Sequence, residues 1–298
     1  MSLVSLVEAR NTSGLKRAIA RSLDLIQYRF TEEIENVVIK PNMCYYWDYS
    51  TGETTDPAFV AALIDVLRNQ VSRDVRISIV ESDASAMKCK YAFKFLGYEK
   101  LAKRREVDLL NLSKEESERV EVSVEDHTFH FMVPLAIRNA DLRVNVAKIK
   151  YHPLTKISCA LKNIYGCNPY QKKYKYHQQI NEVIVALNKV MNFDLCVIDG
   201  ITVVGSQPRK LGLVMASRDP VALDASVARL ARVNPRAIRH LVMASKEGVG
   251  SLSSETVGAS LRQFERRFPK KEAMSEIMEF GYKLVTILGL SNRLGLTS

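Results

Sequence analysis

Residues 37–42 read VVIKPN, 56–68 read DPAFVAALIDVLR, and 75–83 read VRISIVESD. The change of hydrophobic period along these three pieces sets the fold class. Val37, Val38 and Ile39 form a continuous β-branched run, which suits a strand covered on both faces. Asp56 offers a carboxylate to cap a helix, and Pro57 fits its first position. Val60, Leu63, Ile64 and Leu67 then recur at three- and four-residue spacing, the stripe of a helix with one buried face. The run 75–80 returns to strand. A helix from about 85 closes at Gly97, and 107–110 (VDLL) reads as a further strand. Strands alternating with helices predict a parallel sheet with helices on its faces.

The same reading extends outward. Residues 13–26 suit a helix, with Ser13 as cap and Leu15, Ile19, Leu23 and Ile26 on one side. Around Glu125-Asp126-His127, the alternating runs VEVSV and FHFMV predict a small antiparallel hairpin. The parallel pattern resumes with a strand over 142–149, a short helix near 157–165, a longer one near 177–190, and strands over 194–198 and 211–216. Asp219-Pro220 and Asn234-Pro235 open two more capped helices. The expected fold is α/β, a mainly parallel sheet with flanking helices in two lobes, 30–140 and 141–250. A basic, helical extension covers 251–298. Within it, Met274, Ile277, Met278, Tyr282, Leu284 and Val285 form an amphipathic stripe, read as a helix packed on the body, with a membrane surface or a partner as alternatives.

The chain has 298 residues, and 43 basic against 33 acidic side chains give it a net charge of +10. Solubility alone accommodates such a charge, and anionic partners would be favoured by it. Five cysteines, odd in number and without a Cys-x-x-Cys pair, point to reduced thiols and a cytoplasmic location, and away from a disulfide framework or an all-cysteine iron–sulfur cluster. The first residues lack the basic-then-apolar plan of a signal peptide. No apolar stretch reaches the ~20 residues of a membrane span.

Chemistry concentrates in KIKYHPLTKISCALKNIYGC (148–167). Lys148, Lys150 and His152 alternate, so they share a strand face with Val144 and Val146, at the carboxyl end where parallel sheets bind ligands. Lys162 and Asn163 sit among apolar neighbours in a helix closed by Gly166. An amine held there is either depressed in pKa and reactive, or paired with an anion, unless it simply snorkels outward. Lys40 and Asn42, Asp83, and Asp199 follow other strands and make an anion site or acid–base partners. The glycine-bearing loop 200–212 adds Arg209 as an anion contact. His177 ends the run KKYKYH, which with 262–271 gives an alternative reading as a nucleic-acid surface. His152 and His177 could also ligate a metal, with Cys159 or Cys167 as a soft third ligand; small buried thiols are the plainer reading, and no metal is expected. The P-loop and GxGxxG fingerprints are both absent from the sequence.

The segments VVIKPNMC (37–44), TTDPAFVAALIDVLR (54–68), VNVAKIKYHPLTKISCALKNIYG (144–166), VIDGITVVGSQPRKLG (197–212) and SRDPVALDA (217–225) resemble the family called domain of unknown function 362. Some members of that family add a ferredoxin-like cluster segment. Its cysteines are missing here, so the resemblance implies at most an accessory related to such redox proteins. More distantly, the order His152, Lys162, His177 is similar to that of site residues in nickel-pincer lactate racemases, which implies a lysine-anchored nickel cofactor as an alternative to a cofactor-free site. The expectation from the residues themselves is an enzyme of unknown reaction that holds a small anionic metabolite in a cleft between the lobes. Lys162 and His152 would carry the chemistry, with Asp83 and Asp199 as acid–base partners. Lys148, Lys150, Asn163, His177, Lys40, Asn42 and Arg209 would bind the ligand.

Overall fold

The computed structural model describes residues 1–9, 14–31, 33–205 and 207–270. In chain order the elements are β1 (Ser2–Glu8), α1 (Leu15–Leu25), β2 (Asn36–Pro41), α2 (Pro57–Gln70), β3 (Arg76–Glu81), α3 (Cys89–Phe95), α4 (Tyr98–Arg105) and β4 (Asp108–Asn111). The hairpin β5 (Ser117–Val124) and β6 (His127–Pro134), α5 (Leu135–Arg138), β7 (Leu142–His152), β8 (Lys156–Ser158), α6 (Ala160–Asn163) and α7 (Ile180–Met191) follow. The chain then forms β9 (Leu195–Val204), β10 (Pro208–Ser217), α8 (Pro220–Leu230), α9 (Arg239–Lys246), β11 (Ser254–Gly258) and α10 (Leu261–Glu265).

One mixed sheet of nine strands runs β11-β1-β10-β9-β7-β2-β3-β4, with β8 folded back on β7. From β9 to β4 every neighbour is parallel, as the strand–helix alternation predicts. β10 and β1 add antiparallel strands at the other side. The fold is therefore α/β, with the expected hairpin β5–β6 standing as a separate two-stranded sheet. β2 and β7 are hydrogen-bonded neighbours, so residues 30–140 and 141–250 contribute strands to one sheet.

Side chains alternate across the pleat and split the core in two. Val37 and Ile39, with Val144 and Val146, face α1, α2 and α4. Val38, Ala147 and Ile149 face the layer of α6, α7, α8 and α9. The caps act as the sequence suggests. Asp56 accepts Ala58 N–H at 2.8 Å and Asp219 accepts Ala222 N–H at 2.9 Å, each ahead of a proline at the helix start.

Several local expectations differ. Ser13 and the stripe from Met274 to Val285 lie outside the described residues. Asn234 caps a single 3-10 turn, Pro235–Ala237, and the α-helix begins only at Arg239. The loop 200–212 is largely a β-hairpin arm: β9 continues to Val204 and β10 starts at Pro208. β1 and β11 were not anticipated. β1 reaches the sheet because its partners β10 and β11 are far along the chain, beyond any local signal. Among the described residues no helix is long and apolar enough to cross a membrane.

Candidate functional site

The carboxyl ends of β2, β7 and β9 lie side by side, and α6 packs over them. This is where a parallel sheet presents backbone ends and side chains to a ligand. The charged groups collected there divide into two sets.

The first set is internally paired. Lys40 Nζ meets Glu81 Oε2 at 2.8 Å and donates to Pro41 O at 2.6 Å, with both side chains buried. Lys148 Nζ lies 3.2 Å from Asp199 Oδ2 and 2.7 Å from Thr202 O. Burial pushes the Lys148 amine below its ordinary value, and Asp199 opposes that shift. Asp199 also accepts the backbone N–H of Asp56 at 2.9 Å, which ties β9 to the start of α2. Asp83 accepts Cys89 N–H at 2.9 Å and Asn111 Nδ2 at 3.1 Å, with Lys88 at 3.5 Å. Burial works against its ionisation, but these partners outweigh it and hold the carboxyl below its usual range. Lys40 and Lys148, expected as ligand contacts, and Asp83 and Asp199, expected as acid–base partners, are thus placed on protein partners. Arg209 is exposed on the β10 arm and takes no part in this cluster.

The second set is linked by amide hydrogen bonds and by the charges of Lys150 and Lys162. Lys150 Nζ donates to Asn42 Oδ1 at 2.9 Å and Glu53 O at 3.0 Å, and pairs with Glu53 Oε2 at 3.3 Å. Asn163 accepts from Asn42 Nδ2 at 2.9 Å and donates to Asn145 Oδ1 at 2.7 Å and to Lys40 O at 3.1 Å. This chain of amides locks α6 onto β2 and β7. The start of α6 is held by Asp224, whose two carboxylate oxygens accept Ala160 N–H at 2.7 Å and Leu161 N–H at 3.0 Å. Lys162 therefore projects from an anchored turn. Its amine lies 5.9 Å from the Tyr165 ring and has no hydrogen-bonded or ion-paired partner among the described residues. Burial, and then the charge of Lys150, lower its pKa to about 8.

Three imidazoles feel the charge of that amine. His152 accepts Leu154 and Thr155 N–H on Nδ1 at 3.3 and 3.4 Å, so its Nε2 carries the proton. Burial, then Lys162 and Lys150, hold it well below the usual histidine value. His177 is lowered by burial and then by Lys162. His240, fully buried on α9, is lowered to about 3 for the same two reasons, and neither ring nitrogen has a hydrogen-bond partner among the described residues. Cys44 lies against Lys150, and burial raises its thiol.

The structure so brings together Lys150, His152, Lys162, Asn163, Asn42 and His177. The sequence reading missed His240, whose helix carries no motif, and Glu53 and Asn145, which sit in unremarkable contexts. Asp224 lies within the SRDPVALDA stretch, which gives no sign of its role. Gly166 is not a left-handed helix end; a Cβ there would come within 3.0 Å of Glu81 Oε1 and Lys40 Nζ, so close approach to the buried pair is what requires glycine. Among the described residues no cluster of three or more His, Cys, Asp or Glu is placed to hold a metal ion. A separate depression of about 720 Å3 opens at the amino ends of β2 to β4, lined by Asn36, Arg76 and Asp108 among others, away from this cluster.

Residues 37–229 match the family model described as domain of unknown function (DUF362), and the chain belongs to that family. It is 26% identical over 139 residues to a thylakoid-associated protein of Synechocystis sp., an alignment covering 42% of this chain and 43% of that one. The chain thus spans under half the length of this curated relative. Its fold is similar to that of the lactate racemase apoprotein from Thermoanaerobacterium thermosaccharolyticum, with a TM-score of 0.51 and 13% identity over 78% of this chain and 58% of that one.

Proposed function

We propose that this chain is a cytoplasmic enzyme that binds a small anionic metabolite at the ends of β2 and β7, with Lys162 as the reactive or ligand-anchoring amine. The observation that carries this reading is an amine with a pKa of about 8 and no hydrogen-bonded or ion-paired partner among the described residues, beside three imidazoles held neutral. Near neutral pH such an amine is mostly charged and attracts an anion, yet it can release its proton within the working range. Neutral His152, with Nε2 protonated and Nδ1 taken by backbone N–H groups, can donate a hydrogen bond to the bound anion. His177 stands as the proton shuttle. Asn163 and Lys150 fix the geometry through the amide chain and the Glu53 pair.

The basic run 162–175 gives less support to a nucleic-acid surface. Lys162 turns inward, and Lys173 is buried with its amine 2.6 Å from Ser82 Oγ and from Asp83 O.

A second reading has support from the orphaned His240 ring and the free amine. Both fit a bound organic group better than a bare metal ion, and a lysine-anchored metal cofactor would use Lys162 for attachment and His152 or His177 as ligands. Such a group would supply hydride or electrophilic chemistry.

Thermal-shift screening against small carboxylates and phosphates, lactate first, tests the main reading. Stabilisation by one of these anions should disappear in Lys162→Met while the unliganded melting temperature is retained. Equal binding by Lys162→Met would reject the assignment. Native mass spectrometry with elemental analysis separates the two readings: an adduct on Lys162 or stoichiometric metal selects the second.

A further inference from the structure

Among the described residues nine large apolar or aromatic side chains are exposed, and seven of them fall in three short segments. Tyr45, Tyr46, Trp47 and Tyr49 lie on the loop after β2. Tyr91 and Phe95 lie on the outer face of α3, and Tyr170 follows the turn after α6. The segments are adjacent in space. Tyr46 packs edge-on against Phe95 at 5.8 Å, Tyr91 stacks on Phe95 at 5.9 Å, and Tyr45 lies 6.3 Å from Trp47. Lys88 N–H donates to the Tyr46 hydroxyl at 2.9 Å, and Lys88 Nζ donates to Gln171 Oε1 at 2.8 Å. Trp47 is 53% and Phe95 63% exposed, so the ring cluster is apolar surface left in water.

Its charge is one-sided. Lys90, Lys94, Lys172 and Lys175 are exposed around the rings, and none has a carboxylate within ion-pairing distance among the described residues. Asp48 is the one acidic residue within 45–49, 85–95 and 170–175. An occupant must therefore be apolar at its centre and anionic at its rim. Rings packed on one another leave few open faces for stacked bases. Tryptophan and tyrosine with lysines on long stems are the side chains that headgroup regions accommodate.

We infer that this face docks the protein on an anionic phospholipid surface, with Trp47 and Phe95 entering the headgroup layer and Lys90 and Lys94 contacting lipid phosphates. The loop carrying Trp47 also carries Cys44 beside Lys150, so docking sets the candidate site near the membrane, but the docking itself does not depend on the reaction proposed there.

Trp47 is the single tryptophan of the chain, so its emission reports docking directly. The intact chain is mixed with vesicles of phosphatidylglycerol and phosphatidylcholine, with pure phosphatidylcholine vesicles, and with single-stranded oligo(dT). A blue shift with mixed vesicles, quenched by brominated acyl chains and absent with pure phosphatidylcholine, is the expected result. Lys90→Gln with Lys94→Gln should lower vesicle partitioning about 25-fold, at about fivefold per surface lysine. Phe95→Ser, at an exposed position that folding tolerates, should lower it about tenfold. Unchanged Trp47 emission with every vesicle overturns the inference. Wild-type partitioning by the lysine and Phe95 variants overturns it too, because binding then resides elsewhere, such as 262–298. A saturable shift with oligo(dT) in place of vesicles reassigns the face to nucleic acid.

Discussion

Lys40 and Glu81 form an ion pair at 2.8 Å with side-chain exposures of 1% and 3%, and Gly166 backs directly against it. The pair joins the ends of β2 and β3 beneath the turn that carries Lys162. A buried pair of this kind contributes little beyond an apolar pair of the same volume, yet breaking it is severe, because one charge is left without a partner in a dry interior.

Glu81→Gln should therefore destabilise the protein by about 3–5 kcal/mol. Lys40→Met combined with Glu81→Leu should recover most of that loss. Urea unfolding of the three proteins measures both effects, and a double variant no better than the single one would contradict the account.

Lys162 gives a pH signature. Between its folded pKa of about 8 and the ordinary 10.5, the unfolded chain binds a proton that the folded chain has released. Stability contributed through this group should rise across that window, by about 2–3 kcal/mol at most. Lys148 and Lys173 shift in the same direction, so the informative quantity is the difference between wild type and Lys162→Met in unfolding series at pH 8 to 10. No difference in slope would place the amine in water.

Asp224 behaves oppositely. Burial raises its pKa from 3.8 to about 7, so the folded chain keeps a proton that the unfolded chain loses between those values. Its contribution is full below pH 4 and is lost as pH rises through about 7. Asp224→Asn should flatten that fall. Asp224→Ala should remove about 1–3 kcal/mol by orphaning the Ala160 and Leu161 N–H groups. Chemical denaturation at pH 4, 5.5 and 7 reads both.

Among the described residues neither buried ring nitrogen of His240 has a hydrogen-bond partner. His240→Leu should raise stability by about 1–2 kcal/mol, since an apolar side chain leaves nothing unsatisfied. It should also weaken anion binding if the ring serves the site. A stabilised variant with unchanged binding would confine His240 to the core.

Asn163 shows how far the sequence could be read. Its place beside Lys162 in a short helix is legible from the apolar frame around it, and its burial follows. Its three partners, Asn145 on β7 and Lys40 O and Asn42 at the end of β2, lie 18 to 123 residues away, and only the pairing of β2 and β7 makes them neighbours. Lys148 shows the same divide. Its strand face follows from alternation with Val144 and Val146, but the sequence could not say that its amine ends on Asp199.

Local order was written in the sequence: β2-α2-β3 from β-branched runs and an Asp-Pro cap, the β5–β6 hairpin from alternation, and the parallel class from their succession. These depend on contacts between residues close in the chain, where propensity and period act. The tertiary structure alone decided which cations are spent on internal carboxylates and which remain free. Lys40, Lys148 and Lys162 look alike in sequence. The first two meet Glu81 and Asp199 across neighbouring strands, while Lys162, 5.9 Å from the Tyr165 ring, has no ion-paired partner among the described residues. That difference is one of long-range placement and desolvation, and no local pattern encodes it.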